Sequence, residues 1–367
     1  MGETTKIAWT DATINFWQGC TKVSAACDHC YAEAIASRFK TAEWGFNKPR
    51  AERLVKAARE ALKLERRAVR QGRRIKVFSN SMSDFFDNEV PDEWRDAAMA
   101  VIALTPHLDW LVLTKRPKVM RAYMTHWPDG AARYHHVRFA ADQLLRGPDP
   151  GSYSFNDEIG KRASAATALW PLPNLWLGVT AEDQKMADLR IPDLLATPAV
   201  RRFVSCEPLL GPVDLTKVNC RTEEDHEKWT DALRGTTTMW NHERAGGWGG
   251  IAPARLGWVI VGGESGRAAR PMHPDWARSL RDQCEAAQVS YFFKQWGEWQ
   301  TVYDRDLDDP DWRRAPATSL DGGHNGRYLN LAGGWGFHGE RVVFVKRVGT
   351  KRAGNLLDGR TWEEFPA

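Results

Sequence analysis

Three cysteines, Cys20, Cys27 and Cys30, stand within eleven residues in the stretch "GCTKVSAACDHCYAEAIASRF". The chain has six cysteines, and the other three, Cys206, Cys220 and Cys284, lie far apart and read as buried or incidental thiols. Two clustered thiols would suit a disulfide and four would close a tetrahedral zinc site, whereas three leave a coordination sphere unfinished. A [4Fe–4S] cluster held by three thiolates has one iron without a protein ligand, and that iron can chelate a small molecule. A Cys3His zinc site is the rival. His29 is adjacent to Cys30 and awkwardly placed to close a tetrahedron with it, and the nine other histidines are distant in sequence. Three thiols that hold no metal are the plainest alternative.

The elements that must position these thiols can be read along the chain. Short apolar runs such as LVL, WLGV, RFVS, WVIVG and YFF are each bounded by polar residues and most are followed by helical patterns. Runs without alternation mark parallel strands covered on both faces. Strand and helix alternate over about 300 residues, which predicts an α/β fold built from βα repeats, a barrel or a doubly wound sheet. "TINFWQGC" reads as a strand leading into the cysteine loop, with a helix beginning near Cys30. "PDEWRDAAMAVIALT" reads as a helix started by Pro91. Two stretches, about 128–172 and 217–255, interrupt the rhythm and read as insertions, partly helical. From about 300 to 367 the chain reads as a carboxy-terminal extension that packs on residues 1–299 or covers the barrel mouth.

The 367 residues are 43% hydrophobic and 27% charged, enough for a large core. No run of about 18 apolar residues occurs, so no membrane partner is expected. The opening "MGETTKIAWTDATINFW" lacks the layout of a signal peptide, so a cytoplasmic protein with reduced thiols is expected. A net charge of +4 permits a nucleic-acid partner without requiring one. The basic run "KLERRAVRQGRRIK" reads first as a solvated helix face before a strand, and equally offers phosphate contacts. Some of the 18 tryptophans, Trp335 among them, could stack on a base.

Polar residues collect just past the strand cores, where βα folds carry their sites. Ser79, Asn80, Ser81 and Asp84 follow the second strand and could hold a cofactor amino group, or cap a helix. Lys115 and Arg116 follow the third, where a cation could pair with a carboxylate. Glu182, Glu207, Glu264 and Ser265 continue the series, and Lys294 and Gln295 end it. Glu207 is a candidate for a ribose or substrate contact and Lys294 for a substrate contact, and the two are the candidate catalytic pair. "GGESG" allows close backbone approach and equally suits a tight turn. His273, before Pro274, reads as part of a helix start.

The C-x6-C-x2-C spacing is similar to the C-x3-C-x2-C loop of radical S-adenosylmethionine enzymes, with a longer first spacer. Taken together, "KIAWTDATINFWQGCTKVSAACDHCYAE", "SNSMSDFF", "LTKRP", "WLGVTAEDQ", "VSCEPLLGP", "WVIVGGESG", "ARPMHPDWARSLRDQC", "FFKQWGEW" and "GRTWEEFP" resemble the phage-associated three-cysteine-motif family of radical-SAM-like proteins. The cysteine motif and "LTKRP" also show a weaker, local similarity to spore photoproduct lyase. The family resemblance implies a partial (βα)6-type barrel, a [4Fe–4S] cluster on Cys20, Cys27 and Cys30, and S-adenosylmethionine as cofactor. Such an enzyme generates a 5′-deoxyadenosyl radical with an electron from an external donor. The expected substrate class is a nucleic-acid base or nucleotide. A zinc-stabilised nucleic-acid-binding protein without catalysis and a cluster-bearing regulatory or defence partner are the alternatives.

Overall fold

Unalternating apolar runs become strands buried on both faces in the structure, a computed structural model. It describes residues 5, 7–125, 132–147, 157–220, 227–241, 246–251, 254–308 and 326–366. Two compact units emerge, one drawn from 1–23, 32–179 and 193–202, the other from 24–31, 180–192 and 203–367.

In the first unit the order is β1 (Ala12–Ile14), β2 (Trp17–Gln18), α1 (Tyr31–Phe39), β3 (Ala51–Glu52), α2 (Leu54–Gln71) and β4 (Ile75–Ser79). There follow α3 (Asp92–Ala103), β5 (Leu108–Thr114), α4 (Pro117–Thr125), α5 (Arg133–Arg146), α6 (Glu158–Ala166) and β6 (Leu175–Thr180). β1, β4, β5 and β6 are neighbours in that order and all run parallel. Leu111, Val112, Leu177 and Val179 are wholly buried, and each such side chain contributes roughly 1.5–3 kcal/mol by leaving water. α2 turns Ala57, Ala61, Leu64 and Ala68 inward and ends at a left-handed Gly72, whose N–H bonds back to the last turn. The basic run thus forms a helix face followed by a strand, as its sequence predicts.

α7 (Gln184–Ala196) and β7 (Arg201–Cys206) contribute residues to both units. In the second unit stand β8 (Val218–Asn219), β9 (Glu227–Asp231), β10 (Thr236–Asn241), β11 (Gly246–Ile251), β12 (Trp258–Gly262), α8 (Pro274–Ala287) and β13 (Ser290–Gln295). They are followed by β14 (Trp299–Asp304), α9 (Arg305–Asp308), β15 (Gly326–Leu329), β16 (Val343–Arg347) and α10 (Thr350–Ala353). β7, β12 and β13 are parallel neighbours. β14, β16 and β15 form an antiparallel sheet.

The chain is therefore a mixed α/β protein with parallel strands alternating with helices. Among the described residues no helix is long and apolar enough to cross a membrane. The insertion at 128–172 is helical where described, through α5 and α6. The one at 217–255 differs from the helical expectation: its described residues form the antiparallel sheet β11-β10-β9-β8. A run of three β-branched threonines and a glycine-rich partner disfavour helix and suit a strand pair. Parts of both insertions, and residues 309–325 of the extension, lie outside the described residues. The closing "GRTWEEFP" packs on the parallel strands of its own unit. Phe293 N–H donates to Trp362 O at 2.8 Å and Trp258 Nε1 to Glu364 O at 2.8 Å.

His273 caps α8, accepting from Asp275 N–H at 3.1 Å on Nδ1 while Nε2 faces Arg341 O at 2.6 Å. One neutral tautomer satisfies both contacts, and burial lowers the imidazole pKa from its usual value. The structural reading of His273 holds.

Candidate functional site

In the first unit Cys20 sits just past β2, beyond the carboxyl end of β1. Gly19 makes the turn at φ 100°, and a Cβ there would lie 2.6 Å from Glu43 O, so only glycine lets the cysteine loop pass so close to 43–45. Gly45 N–H donates to Cys20 O at 2.9 Å and Gly19 N–H to Met82 O at 3.2 Å. Arg116 follows β5 and reaches the same loop. Its guanidinium donates to Thr21 O at 2.7 Å, stands 3.6 Å from Cys20 Sγ, and pairs with Asp84 at 3.0 Å. Burial, then the Asp84 charge, push the Cys20 thiol up to about 12 while Arg116 pulls it down.

Arg50 adds a second brace. It pairs with Asp87 at 3.1 Å, each side chain 1% exposed, and donates to Lys48 O at 2.8 Å, Gly45 O at 3.1 Å and Thr21 Oγ1 at 2.7 Å. The sequence reading passed over Arg50 and Asp87, because a lone arginine after proline carries no local signal of a partner 37 residues away.

The predicted residues at the β4 and β5 ends divide into braces and available groups. Asp84 accepts from Thr114 Oγ1 at 2.6 Å, Lys115 N–H at 2.9 Å and Phe86 N–H at 2.9 Å besides pairing with Arg116, so its carboxylate is filled. Asn80 holds φ 60° and its Oδ1 accepts from Phe16 N–H at 2.9 Å, while its buried Nδ2 has no partner among the described residues. Ser79 Oγ approaches Asn80 Oδ1 at 3.4 Å, and Ser81 Oγ approaches Asn15. Arg116 is spent on the loop. The Lys115 ammonium, half-buried, has no acidic partner among the described residues.

The second unit holds Cys27 and Cys30 in the segment 24–31. A short turn, Ala25–Cys27, leads into it. Arg270 donates to Ala25 O at 2.8 Å and faces Asp28 at 3.4 Å. Behind it, Glu264 of "GGESG" accepts from Arg270 N–H at 2.7 Å, Nε at 2.9 Å and Nη2 at 2.6 Å, and meets His29 Nδ1 at 3.2 Å. Burial works to raise the Glu264 carboxyl, and the bonds from Arg270 and His29 outweigh it, leaving it below its ordinary value. Glu182, fully buried, pairs with Arg190 at 2.7 Å and accepts from Ala26 N–H at 3.4 Å. Two carboxylates from strand ends thus hold this segment. Arg270 went unnoticed in the sequence, although an arginine six residues past a glutamate in a glycine-rich turn was the available signal. Arg270→Ala is expected to speed amide exchange across residues 24–31 about tenfold, since each charge-assisted bond is worth roughly 1.5–3 kcal/mol. Exchange mass spectrometry reads this, and unchanged protection would remove Arg270 from that role.

Further along the unit, Glu207 after β7 and Lys294 of β13 form an ion pair at 2.5 Å. Gly262 of β12 lies beside them, and a Cβ there would approach the Glu207 side chain to 3.3 Å. The two candidate catalytic residues are each other's partner, and both stay about one-fifth exposed, at 19%. Gln295 Nε2 donates to Ser265 Oγ at 2.8 Å. In the extension Trp335 is 52% exposed beneath the Arg327 guanidinium.

Cys20, Cys27 and Cys30 are all free thiols of intermediate exposure. Among the described residues no three His, Cys, Asp or Glu side chains are gathered as a metal site. The donor set nonetheless suits a thiolate-bound cluster in kind: three sulfurs outside any disulfide, one of them beside a guanidinium that would offset the negative charge of a thiolate-ligated group. Cys206 and Cys284 are buried, and burial pushes both thiols well up. Cys220 is half-buried and its Sγ lies 3.3 Å from Thr230 Oγ1.

A parallel α/β chain with a braced cysteine loop at its strand ends defines the class, and the family is equally plain. The chain belongs to the family of proteins of unknown function DUF5131, whose model matches residues 4–366. No curated protein and no solved structure matches it.

Proposed function

We propose that this protein is a radical S-adenosylmethionine enzyme on a partial (βα)6-type barrel, with a [4Fe–4S] cluster on Cys20, Cys27 and Cys30. The observation that carries the reading is three free thiols within eleven residues, in the stretch that follows β1 and β2. A cluster so held would supply an open iron for the amino and carboxylate groups of S-adenosylmethionine and the electron that cleaves it to a 5′-deoxyadenosyl radical. The electron comes from an external donor.

The chain's own residues then have distinct tasks. Arg116, Arg50 and Asp84 hold the Cys20 loop, and Glu182, Glu264 and Arg270 hold the segment with Cys27 and Cys30. Lys115 is left to pair with the cofactor carboxylate. Asn80 Nδ2, buried without a partner, and Ser79 are left for its polar groups. The Glu207–Lys294 pair can hold or pass a proton at substrate. A nucleic-acid base or nucleotide is the substrate class that fits the basic balance and exposed aromatic surface such as Trp335.

Lys115→Ala is expected to weaken S-adenosylmethionine binding by about one to two decades, the scale of one hydrogen bond to a charged group. Calorimetry on reconstituted protein measures it, and unchanged affinity takes Lys115 out of the site. The reading as a whole is tested by release of 5′-deoxyadenosine from S-adenosylmethionine on reduction of anaerobically reconstituted protein. Iron-loaded protein that yields none would leave the regulatory alternative standing.

A further inference from the structure

The exposed face of α2 repeats every seven residues. Val55, Leu62 and Val69 form one line, 63%, 43% and 54% exposed. Lys56, Lys63 and Arg70 form a second, and Arg59 and Arg66 a third that continues into Arg73 past the helix end. At 100° per residue the five helical cations of these two rows fall within an arc of about 80°, beside the apolar line, with Arg67 about 20° beyond the arc's other edge, and Lys56 to Arg70 span about 21 Å along the axis. The inward face is already taken by Ala57, Ala61, Leu64 and Ala68. Two of these cations have acidic neighbours close by: Glu60 is 4.0 Å from Lys56 and Asp11 is 3.4 Å from Arg73. Arg59, Arg66 and Arg70 have no acidic partner among the described residues.

We infer that this face docks a nucleic-acid strand by its phosphodiester backbone. The inference deepens the proposed substrate class and rests on that reading for its biological sense. Rows of cations one helical turn apart, with Arg59, Arg66 and Arg70 left without acidic partners among the described residues, meet the charge of a polyanion, and arginine, which supplies three of the five helical cations in these rows, binds phosphate oxygens bidentately. An acidic partner helix fits less well. A coiled-coil seam needs apolar residues at two positions of each heptad, and here only one line is apolar. A lipid surface fits less well too, because an interfacial helix buries a broad apolar face with large side chains, and the broad apolar face of α2 is spent inward. α2 starts beside the strand ends, where Arg53 N–H donates to Phe16 O at 2.8 Å and Phe16 N–H to Asn80 Oδ1 at 2.9 Å, so a strand lying along it leads toward Asn80.

The test is fluorescence anisotropy of the full chain with a labelled mixed-sequence 20-nucleotide single strand, and with the matching duplex, across a salt series. The R59E/R66E/R70E variant is compared with V55S/L62S/V69S, both on exposed positions and both checked for native thermal unfolding. The charge-reversed protein is expected to bind the single strand at least tenfold more weakly at low salt. Its slope of log affinity against log salt should be shallower by about 2, at about 0.7 per cation lost. The apolar variant should bind within about twofold of the parent. Equal affinity and slope in the charge-reversed protein would overturn the inference, as would binding to anionic phospholipid vesicles with no binding to either oligonucleotide. The measurement needs neither cluster nor S-adenosylmethionine, so loss of radical chemistry with intact, α2-dependent binding would sink the proposed activity and leave this surface standing.

Discussion

Alanine at any one of Cys20, Cys27 or Cys30 is expected to leave anaerobically reconstituted protein with only a small fraction of the parent's iron and sulfide. A cubane with three protein ligands has none to spare, and a thiolate cannot be replaced by water without a large loss of affinity. Cys206, Cys220 and Cys284 supply an internal control, since they lie far from the trio in sequence and Cys206 and Cys284 are wholly buried in the core. Alanine at Cys220 should leave iron unchanged. Colorimetric iron and sulfide assays, with the absorbance near 400 nm typical of such clusters, decide the matter. Full iron and sulfide in each single variant of the trio would refute the assignment, and zinc in place of iron in the parent would favour the zinc-stabilised alternative.

The largest effect on stability is expected at Arg50. Arg50→Met keeps the aliphatic stem but leaves Asp87, a carboxylate 1% exposed, with only the more distant Arg116 guanidinium at 3.8 Å and the Glu89 N–H at 3.0 Å to balance it among the described residues. It also removes the donors to Gly45 O, Lys48 O and Thr21 Oγ1. Breaking one side of a buried pair costs about 3–5 kcal/mol, far more than an exposed pair would. The urea midpoint should fall accordingly. Arg50→Lys should recover only part, because an ammonium cannot reach four acceptors spread over a planar fork. R50M/D87L should recover most of the loss, since the cost lies in a buried charge left under-compensated. A loss below about 1 kcal/mol for Arg50→Met would mean that water reaches Asp87 and that the brace on the Cys20 loop is weak. Because that loop carries Cys20, the same variant should also lower iron retention, whereas R50M/D87L tells whether charge or loop geometry matters there.

Much of this was legible in the amino-acid order. The unalternating runs at 108–114, 175–180 and 258–262 are parallel strands because a strand covered on both faces cannot afford a polar side. Pro91 and His273-Pro274 mark helix starts, and the clustered cysteines follow a strand, all from signals within a few residues. The strand-end positions were legible too, since polar residues directly after buried runs must lie at an edge of the core. Tertiary structure alone decided which of those polar residues are spent and which remain. Asp84 and Arg116, which look like cofactor contacts in sequence, are consumed in bracing a thiol whose guanidinium partner lies 96 residues away. Glu264 and Arg270 brace a segment more than 230 residues distant, with His29 and Glu264 separated by 235 positions and Asp28 and Arg270 by 242. The antiparallel sheet within 217–255 likewise depended on pairing between segments rather than on local pattern. Propensity and periodicity are local, and they report what a segment can become. A carboxylate's role is set by its partner, and a partner brought in by chain folding leaves no mark on the residues beside it.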